Sequence, residues 1–227
     1  MIQALALDLD DTLLLERDYV RSGFRAVDEH LRHGFGERCD WFAELWRGFE
    51  SGVRGDAFNR VLAAAGVAVE PGLIDELVRC YREHRPDVAA CPDAVEALRR
   101  LAWPRQRVGV ITDGPVVMQR RKFEVLGLDE FVGHVIYTDA WGVEFRKPHP
   151  RAFEEFEHLT GCRGTQCAYV SDNPSKDFRS PHARGWLTIR VRRAEGLHAA
   201  AASTPGEVDV ELSDLRRLPD VLTERKR

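Results

Sequence analysis

The spacing of apolar residues divides the chain into three stretches of different character. The first, Ile2 to Leu7, is a short apolar run that ends in a cluster of aspartates. Such a run is typical of a strand that is buried on both faces and carries polar residues at its carboxyl end. From about residue 15 to 88, apolar residues instead recur at intervals of three and four, which predicts amphipathic helices.

Four helical stripes follow one another in residues 15–88, and no credible strand interrupts them. Their apolar positions are Val20, Phe24, Val27 and Leu31; Phe42, Leu45, Trp46 and Phe49; Phe58, Val61, Leu62 and Ala65; and Ile74, Leu77, Val78 and Tyr81. Residues at these intervals share one face of a helix. We interpret the stripes as core faces of a separate helical domain.

The remaining stretch, residues 89–227, alternates between helix-like and strand-like patterns. Helices are predicted between the strands, including one at about Ser175 to Arg184. The strands are predicted at 107–111, 134–137, 167–170, 188–191 and 208–212. Alternation of this kind predicts a parallel sheet with helices on both faces. Together with the first strand, residues 1–14 and 89–227 are therefore expected to form an α/β core, a Rossmann-like doubly wound parallel sheet.

Composition narrows the classes of function. Of the 227 residues, 44% are hydrophobic and 31% are charged, and the net charge of −4 gives no reason to expect a nucleic-acid partner. The short basic end, 225–227, is interpreted as frayed. The longest apolar stretch, Val61 to Val69, is far shorter than the ~20 residues that cross a bilayer. The five scattered cysteines include no C-x-x-C pair, which favours a reducing, cytoplasmic location.

Polar side chains collect where the predicted strands end. They are Asp8, Asp10 and Thr12; Thr112, Asp113 and Gly114; Lys147; and Asp172, Asn173 and Asp177. In an open parallel sheet this edge binds ligands. Ionised carboxylates 4 Å apart repel by about 4 kcal/mol per pair at an effective dielectric of roughly 20, so the site requires counter-charge. Lys147 and a bound cation would supply it, and all-oxygen ligands favour Mg²⁺.

These residues resemble, in order, the four motifs of the haloacid dehalogenase-like hydrolase superfamily, whose first motif, D-x-D-x-T, is Asp8 to Thr12 here. The resemblance covers essentially the whole chain. It implies that Asp8 attacks phosphorus and forms an aspartyl-phosphate. Asp10 would protonate the leaving oxygen and then activate the water that attacks the intermediate. Asp8, Asp172 and the backbone carbonyl of Asp10 would hold Mg²⁺.

The resemblance also implies roles for the remaining residues of the four motifs. Thr112 and the neighbouring backbone amides of Asp113 and Gly114 would bind the phosphoryl oxygens, and Lys147 would neutralise charge. Thr12, Asn173 and Asp177 would support the residues that hold the metal and the phosphoryl group, without binding the substrate directly. Asp113 stands where many relatives have Asn, and its backbone N–H is expected to matter more than its side chain.

Residues 15–88 correspond in this superfamily to a helical cap that closes over the site and selects a small-molecule phosphate monoester. The cap contains no lysine, so its polar contacts with a substrate would come largely from arginine. Arg21, Arg47 and Arg54 are the expected candidates.

Other functions fit parts of this pattern. Phosphonate-cleaving relatives need a cap lysine, and none occurs before Lys122, whereas haloacid dehalogenases lack the second aspartate that is present here as Asp10. A phosphomutase stays an alternative because mutases share all four motifs. A non-enzymatic receiver-like phospho-switch is disfavoured, since receiver domains have about 120 residues, no helical insert and their acceptor Asp on a middle strand. The substrate and the oligomeric state stay open.

Overall fold

A computed structural model describes residues 1–224, and the basic segment 225–227 lies outside them. The chain divides into two compact units. One consists of Met1–Arg17 together with Val88–Arg227, and the other is Asp18–Asp87. Leu13 and Cys91, both in the first unit, are joined by a hydrogen bond of 2.7 Å from the Cys91 amide to the Leu13 carbonyl. The chain therefore leaves the first unit and returns to it at neighbouring points.

The first unit is built on a six-stranded sheet in which every pairing is parallel. The strands are β1 Ala4–Leu7, β2 Val108–Thr112, β3 His134–Tyr137, β4 Cys167–Ser171, β5 Leu187–Val191 and β6 Val210–Leu212. Their order across the sheet is β3-β2-β1-β4-β5-β6. The predicted α/β fold with a parallel sheet is confirmed.

The helices are α1 Glu16–Phe35, α2 Trp41–Glu50, α3 Ala57–Ala64, α4 Leu73–Glu83, α5 Pro92–Leu101, α6 Val116–Leu126, α7 Arg151–Thr160, α8 Arg179–Ala183 and α9 Leu218–Glu224. Pro92 occupies the first turn of α5, where its missing N–H costs nothing. Gly127 and Gly161 end α6 and α7 in the left-handed conformation that glycine adopts without strain.

Strands β1, β2, β4 and β5 are buried along their whole length. This pattern is expected of a parallel sheet covered on both faces. On one face, Phe153 of α7 packs edge-to-face against Tyr169 of β4 and against Trp186, with ring centroids 5.1 and 5.5 Å apart. This aromatic packing fixes the sheet whose carboxyl edge carries the polar residues.

The predicted helix at 175–184 is wrong in its first half. Helix α8 begins only at Arg179, because Asn173 organises a turn before it. The Asn173 Oδ1 accepts hydrogen bonds from the amide and the hydroxyl of Ser175, and the Asp177 amide donates to the Asn173 carbonyl. Side-chain bonds of this kind compete with helix formation. As a result, Asp177 lies in the turn segment between β4 and α8.

The second unit, Asp18–Asp87, is helical, as the four apolar stripes predict. Each stripe contributes buried side chains, among them Leu31, Leu45, Leu62 and Leu77. Aromatic rings stack along α2, where the half-buried Trp46 contacts the half-buried Phe42 and the buried Phe49. Within residues 1–224, no helix combines the length and apolar character needed to span a membrane.

Candidate active site

The centre of the carboxyl edge brings the predicted residues together. Strand β1 lies between β2 and β4, and the chain proceeds from these neighbours in opposite directions, so the edge at β1 is a switch point where α/β proteins bind ligands. Asp8 directly follows β1, Thr112 ends β2, and Asp172 directly follows β4.

Lys147 is the buried cation of this edge. Its Nζ lies 2.8 Å from Asp8 Oδ1, 3.0 Å from Asp177 Oδ1 and 3.0 Å from the hydroxyl of Tyr169. Burial opposes the charge on Lys147, but the carboxylates of Asp177 and Asp8 hold its pKa well above the usual range. Lys147 is therefore an ammonium group at neutral pH.

Asp8 is a buried carboxylate whose Oδ1 is paired with the Lys147 ammonium and whose Oδ2 lies near the Ser171 hydroxyl. Burial raises the pKa of Asp8 to about 6, a rise that Lys147 limits and Asp177 increases. Asp8 is therefore largely ionised at neutral pH. The Ser171 hydroxyl has one proton and donates it to Asp177 Oδ2 at 2.5 Å, while lying 3.3 Å from Asp8 Oδ2. These neighbours fix the orientation of the Asp8 carboxylate.

The residues present fit a hard divalent cation. Asp8, Asp172 and Asp177 each offer a carboxylate oxygen, and these oxygens lie within 4.8 Å of one another. Asp172 Oδ2 is buried and has no hydrogen-bond partner among the residues that the structure describes. Burial, followed by the charges of Asp8 and Asp177, raises the pKa of Asp172 to about 9. A buried carboxylate without a partner is costly, and an oxygen-binding cation would satisfy it.

Asp113 is engaged through its side chain, which the sequence analysis had expected to matter less than its amide. Its Oδ1 accepts from the Lys147 amide at 3.1 Å and from the Thr138 hydroxyl at 2.8 Å. Its Oδ2 lies 2.6 Å from Lys176 Nζ. Burial opposes ionisation, but Lys147 and Lys176 hold the pKa of Asp113 below its usual range. The extra negative charge is thus neutralised, and the side chain ties the β2 end to the Lys147 segment.

Three further residues that the sequence predicts for the site have different contacts. They are Gly114, Thr12 and Asn173. The Gly114 amide donates to Asp139 Oδ1 at 3.1 Å, so the contact with a phosphoryl oxygen that we predicted would require this bond to be exchanged. Thr12 is fully buried, and its carbonyl accepts from Arg193 at 2.7 Å. Asn173 lines the pocket and, through its turn, places Asp177 beside Lys147.

Two residues of α6 that the sequence analysis did not single out contact Asp10. Lys122 Nζ lies 2.6 Å from Asp10 Oδ1, and Gln119 Nε2 lies 2.8 Å from Asp10 Oδ2. Both side chains are buried. The signal available in the sequence was their spacing of three residues on the helix that follows Thr112, which places them on one helix face.

These groups open into one pocket of about 170 Å³ in the first unit. Its lining residues are Asp8, Asp10, Glu16, Thr112, Asp113, Met118, Lys122, Asp172, Asn173, Lys176 and His198. Five of them are not among the residues that the sequence predicts for the site: Glu16, Met118, Lys122, Lys176 and His198. Burial and the neighbouring charge of Asp10 raise the pKa of Glu16 to about 7, and burial lowers the pKa of His198. The pocket combines one edge rich in carboxylates with the ammonium groups of Lys122 and Lys176.

Comparisons with known proteins identify relatives of the whole chain. A curated glyceraldehyde 3-phosphate phosphatase from Methanopyrus kandleri is 28% identical, over 99% of this chain and 98% of its own length. A protein of the same name from Pyrococcus abyssi is 31% identical, over 83% of this chain and 81% of its own length. The solved structure of the HAD-hydrolase YfnB from Bacillus subtilis, bound to magnesium, has a TM-score of 0.68 at 18% identity and covers 98% of this chain and 99% of its own.

The sequence profile of one family, described as haloacid dehalogenase-like hydrolase, matches residues 2–183. That range includes β1 with Asp8 and Asp10, β2 with Thr112, the Lys147 segment, and β4 with Asp172. From its sequence, its fold and the residues gathered at the sheet edge, the chain belongs to the haloacid dehalogenase-like hydrolase family.

Proposed function

We propose that the chain is a Mg²⁺-dependent phosphatase that hydrolyses a small-molecule phosphate monoester through an aspartyl-phosphate on Asp8. The observation that carries the proposal is the buried, ionised Asp8 carboxylate, 2.8 Å from the Lys147 ammonium and lining a pocket shared with Asp10 and Thr112. The names of the two curated relatives favour hydrolysis over the phosphoryl transfer of a mutase.

In the first step, an oxygen of Asp8 forms a bond to phosphorus and the bond to the leaving oxygen breaks. Asp10 donates a proton to that oxygen, which leaves as an alcohol. In the second step, water attacks phosphorus, Asp10 takes the proton of the water, and the acyl-phosphate bond breaks. Inorganic phosphate is released, and both Asp8 and Asp10 return to their starting states.

Binding of the phosphoryl group requires positive charge and hydrogen-bond donors. Lys147 offsets the charge that Asp8 and the phosphoryl oxygens share, and Thr112 lines the same pocket. Asp8, Asp172 and the backbone carbonyl of Asp10 would hold Mg²⁺, with Asp177 supporting them through Lys147 and Ser171. When bound, the ion supplies screening of the phosphoryl charge so that an anionic nucleophile can approach.

The first test is a panel of small phosphate esters, with phosphate release as the readout. Glyceraldehyde 3-phosphate heads the panel because both curated relatives carry its name, and p-nitrophenyl phosphate represents a generic ester. We expect Mg²⁺-dependent release from at least one alkyl ester of the panel, with kcat/KM of about 10⁴ M⁻¹ s⁻¹ or more. Release from none of the esters, by protein shown to be folded, would contradict the proposed function.

We further propose that residues 15–88 act as a cap that selects the substrate without contributing to the chemistry. Three arginines are tested by alanine substitution: Arg21, whose guanidinium lies over Trp46; Arg47, paired with Glu44; and Arg54, which lies over Phe49. We expect at least one substitution to raise KM for the preferred ester about tenfold. Hydrolysis of p-nitrophenyl phosphate should change little, since this ester needs only the core site.

The two readouts separate the possible failures of the cap hypothesis. If all three variants keep every KM unchanged, the arginines do not select the substrate. If one variant loses hydrolysis of p-nitrophenyl phosphate while remaining folded, the division between selection and chemistry is wrong. Arg54 also donates to the carbonyls of Phe49 and Val53 at 2.8 Å, so its variant is compared by melting temperature first.

A further inference from the structure

We infer that Gln119 and Lys122 are positioning residues that hold the Asp10 carboxylate in the orientation for proton transfer to the leaving group. This inference rests on the proposed function, in which Asp10 is the general acid and base. It assigns a role in the reaction to one face of α6, the helix that follows the β2 strand.

The contacts occupy both oxygens of Asp10. Lys122 Nζ lies 2.6 Å from Oδ1 and Gln119 Nε2 lies 2.8 Å from Oδ2, so each oxygen of the carboxylate has its own partner. Each carboxylate oxygen has two lone pairs, and each contact uses one. The Asp10 side chain remains 20% exposed, whereas the side chain of Lys122 is 1% exposed. The Asp10 carboxylate is thus held by two residues of α6, and its exposed part lines the pocket.

Gln119 links Asp10 to the residue predicted to bind the phosphoryl group. Its Nε2 also lies 2.6 Å from Thr112 Oγ1 and 2.9 Å from the Asp113 carbonyl. A carboxylate and a carbonyl can only accept, so these neighbours fix the amide with its nitrogen towards them. The Gln119 amide nitrogen is therefore fixed on the side that contacts Asp10. An amide nitrogen cannot accept a hydrogen bond, so the hydrogen of the Thr112 hydroxyl is not used in this contact and is available to a phosphoryl oxygen.

The burial of these side chains favours a positioning role over simple packing. Burying an ammonium group costs free energy unless it is paired, and apolar residues of similar volume often stabilise such a place better. Gln119 Oε1 is buried without a hydrogen-bond partner among residues 1–224, which is a further cost. The two side chains that carry these costs, Lys122 and Gln119, both contact Asp10, which lines the pocket. Such an arrangement is expected where alignment matters for the reaction, since a displacement of about 1 Å can cost roughly 100-fold in rate.

The test uses the dependence on the leaving group. An alkyl ester leaves as a strong base and needs protonation by Asp10, whereas p-nitrophenolate leaves readily without it. We therefore measure kcat/KM for glyceraldehyde 3-phosphate, or for the fastest alkyl ester of the panel, and for p-nitrophenyl phosphate. The variants are Gln119→Leu and Lys122→Met, with Lys122→Arg as the conservative replacement. Arg120→Met is the matched control, because Arg120 is an exposed cation of the same helix that lies over the Tyr137 ring.

We expect Gln119→Leu and Lys122→Met to lower kcat/KM for the alkyl ester about 10- to 100-fold, part of the roughly 10²–10⁴-fold range of general acid–base catalysis. The loss for p-nitrophenyl phosphate should be clearly smaller than the loss for the alkyl ester, because its leaving group does not need protonation by Asp10. Lys122→Arg should recover part of the loss for the alkyl ester, and Arg120→Met should resemble the wild type. In an Asp10→Asn background, neither substitution should cause a further loss, because residues that act through one group are not additive.

Equal losses for both esters, or losses that add to that of Asp10→Asn, would overturn the inference and assign the two residues a structural role. If Lys122→Met does not fold, the two esters are compared with Gln119→Leu instead. The melting temperature of that variant shows whether it is folded. The proposed function fails separately, when the wild-type protein hydrolyses no ester of the panel.

Discussion

Replacing Asp8 by Asn is expected to abolish measurable turnover of every phosphate ester while leaving the protein folded. An amide is a poor nucleophile, so no aspartyl-phosphate forms. The substitution should not destabilise the metal-free protein at neutral pH. Burial raises the pKa of Asp8 in the folded state, so its ionisation costs stability as the pH rises through about 6, and the amide avoids that cost. Phosphate release and thermal unfolding at pH 7.5 provide the two measurements.

Asp220→Asn is the matched control for this substitution. Asp220 lies in α9 and pairs with Arg100 3.0 Å away at the surface, so the same chemical change there should leave turnover intact. More than a few per cent of wild-type activity in Asp8→Asn would show that Asp8 is not the covalent nucleophile. A collapse of the melting temperature would instead show that Asp8 is needed for folding, and activity would then have to be tested with Asp8→Glu.

Removal of the metal is expected to abolish phosphate release as completely as the Asp8→Asn substitution does. Excess EDTA should stop the reaction and Mg²⁺ should restore it, because without a cation held by Asp8 and Asp172 the phosphoryl charge that the Asp8 carboxylate must approach is not screened. Ca²⁺ should restore little activity, since its looser coordination allows Asp8 to bind through both oxygens and lose the attacking one. Full activity in excess EDTA would contradict the metal assignment.

A second readout of metal binding does not depend on turnover. Burial and the charges of Asp8 and Asp177 raise the pKa of Asp172 to about 9, so in the metal-free protein this group holds a proton at neutral pH. Binding of Mg²⁺ must displace that proton, and affinity should therefore increase as the pH rises from about 6 to 8. The shift of the melting temperature by Mg²⁺ measures this, and Asp172→Asn should remove most of the shift. An affinity independent of pH would contradict this linkage.

The part of the candidate site that could be predicted from the sequence is the part fixed by strand ends. Asp8, Thr112 and Asp172 follow apolar runs directly, and the parallel order of the strands is sufficient to bring them to one edge. Asp177 was assigned to a helix, because its surroundings look helical until the hydrogen bonds of Asn173 are known.

Gln119 and Lys122 were missed for a different reason. Their side chains are long, and their contact with Asp10 spans more than 100 positions of the chain. Helical spacing predicts that they share a face, but it does not say what that face meets. The side-chain role of Asp113 depends in the same way on Lys176 and Thr138, whose positions are set by turns rather than by periodicity.

The hydrogen bond between Leu13 and Cys91 has a consequence for how this fold can change. The chain leaves the first unit and rejoins it at neighbouring points. The segment between these points therefore acts as a loop whose two ends are held together. The entropy of closing a loop grows only with the logarithm of its length, at about 0.6 kcal/mol for each doubling. Lengthening, shortening or exchanging that segment should therefore cost the sheet little stability, so this one continuous part of the chain can vary while strand pairing stays the same.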